Sequence, residues 1–417
     1  MLPPALRVFC CCTALLPVLY TSSDAVYRVV AMLYNLHAMG TFWARSVNLY
    51  AFLNATLTKD IPWLKQWHAA SRLLERYTRP YSRPAFDLGI EESVVICKPF
   101  GDLLRFGAVD VKKPNLLIVA PMSGHYATLL RGTVREFMLD HNVYITDWHD
   151  AGSVPLSDGR FTLDSYVDYL REFIRYFDGD VHLMAVCQPS VPAMAAVALM
   201  SEDQEQVPLS MILMGGPVDT RKTPTEVNDF AENHNLNWFR RHTIHTVPLN
   251  RRGAGRSVYP GFLQLAGFLS MNLDRHVSAH HDYFEHLVSG DGDSAAQHES
   301  FYDEYLAVMD LDAPFYLETI QKVFLEHHLP KGILKCTGRL VKPELISATA
   351  LMTIEGELDD ITGPGQTRAA HKLCPTAPLH EHLTQSNVGH YGIFNGRRFR
   401  EEIAPRIRAF IQQAAAR

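Results

Sequence analysis

The strongest constraint on the fold is a series of short apolar segments that alternate with helical patterns along the chain. The apolar segments are NLLIVAP (115–121), VYITDW (143–148), VHLMAVC (181–187), LSMILMGGP (209–217) and ALMTIEGELDD (350–360). Strands that are apolar on both faces are typical of a parallel sheet that helices cover on both sides. Between them, residues 162–177 have apolar positions three and four apart, as an amphipathic helix does. The chain therefore predicts an α/β fold with a mostly parallel sheet.

The alternation is interrupted between residues 222 and 345, a block rich in His, Tyr, Phe and Asp. Its helical candidates include PGFLQLAGFLSMN and FYDEYLAVMDLDAPFYLETIQKVFLEHH. In open α/β sheets, ligands bind beyond the carboxyl ends of the strands. We therefore expect residues 32–221 and 346–417 to form one catalytic domain. Residues 222–345 are expected to form a helical cap, or lid, over that edge of the sheet.

Residues 1–31 form an N-terminal extension whose apolar run loosely resembles a secretory signal. Three adjacent cysteines and internal prolines interrupt that run, and only one arginine precedes it. We expect this extension to lie outside the native fold, with Met32 as an alternative start; export by a cleaved signal stays open. No later apolar run reaches the roughly 18 uninterrupted residues of a membrane-spanning helix.

Composition argues against several classes of protein. The net charge of −6 over 417 residues gives no reason to expect binding to nucleic acid or to an anionic membrane surface. The seven cysteines are odd in number and irregularly spaced, so they predict no disulfide framework. The sequence contains no CxxC pair and no HExxH motif. We expect a reduced, cytoplasmic chain with no metal and no organic cofactor.

Cys187 lies where an apolar strand ends and the helical stretch QPSVPAMAAVALM begins. A nucleophile on such a sharp strand-to-helix turn needs small residues two positions before and after it. Ala185 and Pro189 hold those positions, and a proline costs little in the first turn of a helix. By itself, a cysteine at a strand end is more often buried filler than a nucleophile.

Two further residues lie beyond strand ends in the chain order nucleophile, acid, histidine, which is the order of α/β-hydrolases. Asp359 follows the strand that ends near Gly356, and His390 lies between glycines in SNVGHYGIFNGRR. Asp360 is the neighbouring candidate, but successive residues leaving a strand point in opposite directions, and we favour Asp359 as the acid. Asp360 is expected to cap the turn or the helix that starts near ITGPGQTRAAHKL.

A thiol suits this arrangement because a helix N terminus and a nearby imidazole both favour thiolate. Backbone N–H groups would hold the oxyanion that forms on the attacked carbonyl. We expect one of them to come from Gln188 and the other from the loop APMSGH, either at Met122 or at Ser123.

Eight blocks of the sequence together resemble intracellular poly(3-hydroxybutyrate) depolymerases, members of the polyhydroxyalkanoate depolymerase family. The blocks are APMSGHYATLLRGTVREF, VYITDWHDA, VCQPSVP, MGGPVDTRKTPT, VYPGFLQLAGFLSMN, FYDEYLAVMDL, TIEGELDDITGPGQT and GHYGIFNGRR. The similarity runs from about Met32, where MLYNLHAMG resembles the start of such proteins, to near the C terminus. It implies an α/β-hydrolase fold, a triad of Cys187, Asp359 and His390, and action on the amorphous polymer granule inside the cell.

The resulting prediction is a cytoplasmic, granule-associated ester hydrolase that releases 3-hydroxybutyrate oligomers and monomer through an acyl-thioester. Its expected partner is the polyester granule surface. One alternative is an acyltransferase that resembles polyester synthases, or thiolysis by coenzyme A. Another is a non-catalytic granule-coat protein that binds polymer through residues 222–345. The sequence leaves open endo or exo cleavage, the acceptor, the preferred side-chain length and the oligomeric state.

Overall fold

The computed structural model describes residues 81–265 and 273–417, together with residues 65, 66, 69, 70, 72, 73, 75 and 76. The chain divides into two compact units, the first of residues 1–82 and 266–306, the second of residues 83–265 and 307–417. The expectations for residues 1–31 and for a start at Met32 lie outside the described residues. Within the described part, no helix has both the length and the apolar character needed to cross a bilayer.

An eight-stranded sheet forms the centre of the second unit. Its strands are β1 (Glu92–Ile96), β2 (Gly101–Phe106), β3 (Asn115–Val119), β4 (Asn142–Trp148), β5 (His182–Val186), β6 (Ser210–Met214), β7 (Ala350–Gly356) and β8 (His380–Gln385). They lie in the order β1-β2-β4-β3-β5-β6-β7-β8, and β3 to β8 are parallel. The predicted α/β-hydrolase fold with a mostly parallel sheet is confirmed, because each of the five apolar segments contains one strand.

Three strands were not predicted from the apolar pattern. β1 and β2 form an antiparallel pair, and β2 runs antiparallel to β4. β1 and β8 are the two edges of the sheet, so most of their residues keep contact with solvent. Because an edge strand buries only part of its surface, its sequence does not need a continuous apolar run.

The helices differ in how much of their surface they bury. They are α1 (Arg131–Phe137), α2 (Leu163–Arg175), α3 (Ser190–Glu202), α4 (Glu226–Glu232), α5 (Leu236–Thr243), α6 (Leu273–Ser289), α7 (Gly292–Tyr305), α8 (Ala313–Thr319), α9 (Ala370–Leu373), α10 (Gly396–Arg398) and α11 (Ala404–Ala415). Thr162 caps α2 by accepting from the N–H of Ser165 at 3.0 Å. α3 is buried from Ser190 to Met200, which explains why its sequence is apolar all round.

The parts of residues 222–345 that belong to the second unit carry a small sheet of three short strands, His245–Thr246, Ser257–Tyr259 and Leu311–Asp312. A buried ion pair connects the residue before the second of these strands to the third strand, with Arg256 Nη1 2.8 Å from Asp312 Oδ2. The same guanidinium donates to the carbonyls of Pro155 and Gly159 in the loop after β4. Removing one partner of such a pair leaves a buried charge, at a cost of ~3–5 kcal/mol.

The remaining part of this block, α6 and α7, belongs to the first unit. Within that unit, Arg76 Nη2 lies 2.6 Å from Asp303 Oδ1, and the Tyr283 hydroxyl donates to Glu299 at 2.6 Å. Residues 222–345 therefore contribute to both compact units, and their role as a cap stays a prediction.

Candidate active site

Cys187 occupies a sharp turn between β5 and α3. Its φ angle is +68°, in the left-handed region that a residue other than glycine seldom adopts. Its N–H donates to the carbonyl of Met214 on the neighbouring strand at 2.7 Å, and its own carbonyl accepts from Ser190 at 3.1 Å. Such backbone strain persists only where the surroundings hold it, and it occurs preferentially at functional sites. The turn therefore has the geometry predicted for a nucleophile elbow.

The space for this turn comes from small residues on two strands. Ala185, two residues before the cysteine, is fully buried in β5. A Cβ atom on Gly216 would lie 1.8 Å from Ser190 Oγ and 3.0 Å from the Cys187 carbonyl oxygen. Pro189 occupies the N-cap position of α3, where it has the right φ angle and needs no N–H. Ala185 and Pro189 can be recognised from their spacing to Cys187, whereas Gly216 cannot, because its contact joins segments that are distant in sequence.

His390 and Asp359 form the second part of the site. His390 Nδ1 lies 2.8 Å from Asp359 Oδ2, and both side chains are buried. The other carboxylate oxygen of Asp359 accepts from the N–H groups of Ile361 and Thr362 at 3.0 and 2.8 Å. The carboxylate is thus held by three donors, which fixes the orientation of the imidazole ring.

The same bonds decide between the two adjacent aspartates. Asp359 is buried, whereas Asp360 is exposed. Oδ1 of Asp359 accepts two backbone N–H groups of the turn after β7, and the expectation that Asp360 caps this turn or the following helix stays a prediction. Successive residues that leave a strand point to opposite sides, and the side facing His390 is occupied by Asp359.

The pKa of His390 connects this pair to the cysteine. Burial alone would lower the pKa of His390, but the charge of Cys187, the charge of Asp359 and hydrogen bonds to both raise it well above its usual value. With Nδ1 directed at Asp359, Nε2 is the ring nitrogen left for the thiol. The ring also packs closely on Gly215, where a Cβ atom would lie 3.1 Å from His390 Cε1. The structure therefore brings the three predicted catalytic residues together.

The loop after β3 provides the candidate oxyanion donors. The N–H of Met122 donates to Oε1 of Gln188 at 3.3 Å, so the side chain that follows the cysteine lies over this donor. Gly124 has a φ angle of +108°, and its carbonyl accepts from Met309 at 2.7 Å. A Cβ atom on Gly124 would lie 2.5 Å from Gln264 Oε1, so the loop is tightly held. This geometry favours Met122 over Ser123, although the assignment of both stays a prediction.

A histidine group lies away from this site, at the β8 edge of the sheet. His371 Nδ1 is 2.9 Å from His380 Nδ1, and Thr353 Oγ1 lies 2.8 Å from both His371 Nε2 and His382 Nδ1. Among the described residues, no group of three or more His, Cys, Asp or Glu side chains has the geometry to hold a metal ion.

Comparison with protein families finds one match. Residues 215–415 match the family described as PHB de-polymerase C-terminus, where PHB is poly(3-hydroxybutyrate). The matched region contains Asp359 and His390 but begins after Cys187. This match confirms the resemblance inferred from the sequence and supports ester hydrolysis as the reaction. No curated protein matches the chain in sequence.

Several solved structures resemble this chain distantly. A membrane phospholipase A, described as a bacterial virulence factor, is 16% identical with a TM-score of 0.44, over 93% of this chain and 99% of that chain. Naproxen esterase from Bacillus subtilis is 13% identical with a TM-score of 0.44, over 84% and 98% of the two chains. The 2-hydroxy-6-oxo-6-phenylhexa-2,4-dienoate hydrolase from Rhodococcus sp. strain RHA1 is 13% identical with a TM-score of 0.41, over 78% and 99%. Similarities this distant give no information about substrate.

Proposed function

We propose that this chain hydrolyses poly(3-hydroxybutyrate) to 3-hydroxybutyrate oligomers and monomer, because residues 215–415 match the family described as PHB de-polymerase C-terminus. The observation that carries the proposal is the series of contacts from Asp359 through His390 to Cys187 at the end of a buried strand. Together these residues supply a nucleophile, a base and a carboxylate that orients the base. The proposed reaction uses no metal and no organic cofactor.

In the first half of the proposed reaction, Cys187 Sγ attacks the ester carbonyl carbon, and the thiol proton passes to His390 Nε2. The tetrahedral intermediate collapses when the C–O bond breaks. The departing oxygen takes the proton from His390 and leaves as the hydroxyl end of one polymer fragment. The other fragment remains on Cys187 as an acyl-thioester. The raised pKa of His390 supports this role, because an imidazole that holds a proton firmly can accept it from the thiol.

In the second half, His390 takes a proton from water, and the water oxygen attacks the thioester carbonyl. The C–S bond breaks, the carboxylic acid product leaves, and the sulfur recovers the proton. Throughout the cycle Asp359 holds the Nδ1–H of His390, so that Nε2 always faces the reacting atoms. The carboxylate also stabilises the imidazolium form that exists between the proton transfers.

The proposed oxyanion donors are the backbone N–H groups of Gln188 and Met122. In the free protein, the Met122 N–H already has an acceptor in the Gln188 side chain. We propose that the substrate oxygen displaces this side chain when the ester binds. A correctly placed oxyanion donor contributes about 10²–10³-fold to turnover.

The proposed substrate is the amorphous granule, and the proposed location is the cytoplasm at the granule surface. Residues 222–345 are proposed to act as a cap that meets the polymer. Support comes from Gly124 in the candidate oxyanion loop, which is bonded to Met309 and packed against Gln264, both in this block. The cap would thus contact the loop that stabilises the transition state.

Incubation of the purified protein with amorphous poly(3-hydroxybutyrate) granules tests the proposal. The proposal predicts release of soluble 3-hydroxybutyrate and its oligomers in the absence of coenzyme A. Release only with coenzyme A, as an acyl-thioester product, would identify thiolysis instead. Polymer growth from hydroxyacyl-coenzyme A would identify a synthase, and pelleting with granules without product would identify a coat protein. Each of these three results contradicts the proposed hydrolysis.

A further inference from the structure

Four ring-bearing side chains lie in a row on helices α4 and α5 and on the turn that joins them. Phe230, His234, Trp238 and His242 are four residues apart in sequence, and we call this row the aromatic ladder. Its successive ring centroids are 4.6, 4.1 and 4.7 Å apart. The last pair is stacked, with an angle of 23° between the ring planes.

The ladder rests on a buried support but is itself in contact with solvent. Phe239 lies beneath it with 2% of its surface exposed, and its centroid is 5.2 Å from that of Trp238 and 6.0 Å from that of Phe230. Phe230 is 46% exposed, and the other three ladder residues are half-buried. One core aromatic thus anchors a strip of partly exposed rings. Aromatic surface that stays exposed to water is typical of a contact surface.

The orientation of the two histidine rings is fixed by the backbone. His234 Nδ1 lies 2.8 Å from the carbonyl oxygen of Phe230, and His242 Nδ1 lies 2.8 Å from that of Trp238. Because a carbonyl only accepts, each Nδ1 donates to the residue four positions earlier. The rings are therefore held in place before any ligand binds, which lowers the entropy cost of binding.

The ladder begins on an element that packs on the loop of the catalytic acid. Thr225, the N-cap of α4, donates through Oγ1 to the carbonyl of Ile361 at 3.1 Å. Asn228 Oδ1 accepts from Gln366 Nε2 at 2.9 Å. Ile361 and Gln366 both belong to the loop that starts at Asp359. The strip of rings therefore starts from the same edge of the sheet as the candidate active site.

We propose that the aromatic ladder binds a segment of the polyester chain next to the segment that is being cleaved. This inference rests on the proposed polyester hydrolysis and adds a binding surface to it. The ladder has no carboxylate, lysine or arginine of its own, so it fits an uncharged chain. The methyl and methylene groups of such a chain pack on ring faces. An insoluble polymer offers binding contacts far from the reacting ester, and enzymes use such contacts to position the reacting group.

The test compares two substrates in three variants. Phe230→Ala and Trp238→Ala remove ladder rings, whereas Tyr176→Ala is the matched control. Tyr176 is also 46% exposed, but it lies at the C-terminal end of α2, before the strand whose far end carries Cys187. The substrates are amorphous granules and the soluble ester p-nitrophenyl butyrate. We expect the ladder variants to need about tenfold more granules for half-maximal hydrolysis while their turnover of the soluble ester stays near wild type.

Three results would overturn the inference. Granule hydrolysis equal to that of Tyr176→Ala would show that the ladder does not bind polymer. An equal loss on both substrates, with a lowered melting temperature, would show that the rings serve only packing. A change in oligomeric state with normal granule hydrolysis would show that the ladder contacts another protein surface.

A pelleting assay separates failure of this inference from failure of the proposed function. Granule binding is measured in a Cys187→Ala background, with and without Trp238→Ala, where no turnover occurs. If the wild type does not hydrolyse granules, the proposed function fails, yet weaker pelleting of the Trp238→Ala protein still supports the ladder. Equal pelleting with and without Trp238 would refute the ladder regardless of activity.

Discussion

The substitution Asp359→Asn isolates the role of the carboxylate because the structure fixes how an amide would sit there. The N–H groups of Ile361 and Thr362 both donate to Oδ1, so the amide oxygen of Asn must take that position. The amide nitrogen then replaces Oδ2, which lies 2.8 Å from His390 Nδ1. Since an NH2 group only donates, Nδ1 must become an acceptor, and the ring proton moves to Nε2. The imidazole then presents a proton to Cys187 where it should accept one.

The expected loss follows from this wrong tautomer. We expect turnover of p-nitrophenyl butyrate to fall about 10³-fold, which corresponds to ~4 kcal/mol of transition-state stabilisation. The fold should persist, because both backbone bonds remain and the bond to His390 is kept in the reverse direction; exchanging a charge-assisted hydrogen bond for a neutral one costs about 1 kcal/mol. Steady-state kinetics and a urea unfolding curve on the same preparation measure both quantities.

The neighbouring residue supplies the control for this experiment. Asp360→Asn changes the same group one position later, on an exposed side chain, and leaves the bonds of Asp359 to the turn unchanged. Its turnover should remain within about twofold of wild type. The reasoning is refuted if Asp359→Asn keeps more than about a tenth of wild-type turnover, since a wrong tautomer costs far more than that. In that case Cys187 and His390 act as a dyad.

Three further predictions concern residues around the elbow and in β5. Gln188→Ala should raise kcat/KM up to about threefold, because the substrate oxygen no longer has to displace the Gln188 side chain from the Met122 N–H. A tenfold fall in kcat/KM would contradict this prediction. Gly216→Ala should lower the melting temperature and the activity because its Cβ would lie 1.8 Å from Ser190 Oγ, and adding Ser190→Gly should restore part of both. Burial, followed by the charge of His141, lowers the pKa of His182 to about 4. The unfolded chain therefore binds a proton at this residue before the folded protein does, and the free energy of unfolding falls as the pH drops from 6.5 towards 4. Urea unfolding from pH 7 to 4 should therefore show a loss of up to ~3 kcal/mol that His182→Gln reduces, and an unchanged pH profile would refute it.

Much of the sheet is predictable because burial on both faces leaves a clear pattern. The strands β3 to β7 carry continuous apolar runs, so each was located to within a few residues from the sequence. The edge strand β8, with the sequence HEHLTQ, keeps polar residues along its open side and has no such run. The antiparallel strand β1 is hidden for the same reason. The edge strands β1 and β8 are therefore hard to predict from the sequence, because many of their residues do not need to be apolar.

In the candidate site, too, features that depend on nearby residues can be predicted from the sequence, whereas features that depend on packing between distant segments cannot. Cys187, Asp359 and His390 follow strand ends, and chain order alone was enough to group them. Gly216 could not be found in this way, because its contact with Ser190 exists only after β6 packs beside the elbow. The two N–H groups that Asp359 accepts from the turn could not be predicted either, because they face its carboxylate only once the turn has formed.

The aromatic ladder has a local sequence signal. Phe230, His234, Trp238 and His242 recur at intervals of four residues, the spacing that places side chains on one face of a helix. The pattern is visible in the sequence, but its contact with solvent is not. Exposure depends on Phe239 filling the core beneath, which only the packed structure shows.

The most direct test of the account is to trap the acyl group on Cys187. The protein is mixed with a 3-hydroxybutyrate oligomer, quenched in acid within the first turnover, digested and analysed by mass spectrometry. The account predicts a 3-hydroxybutyryl thioester on the peptide that contains Cys187, and it predicts that Cys187→Ala forms no adduct and loses at least about 10³-fold in turnover. An adduct on a different residue, or a Cys187→Ala variant with more than about a tenth of wild-type turnover, would contradict a cysteine nucleophile.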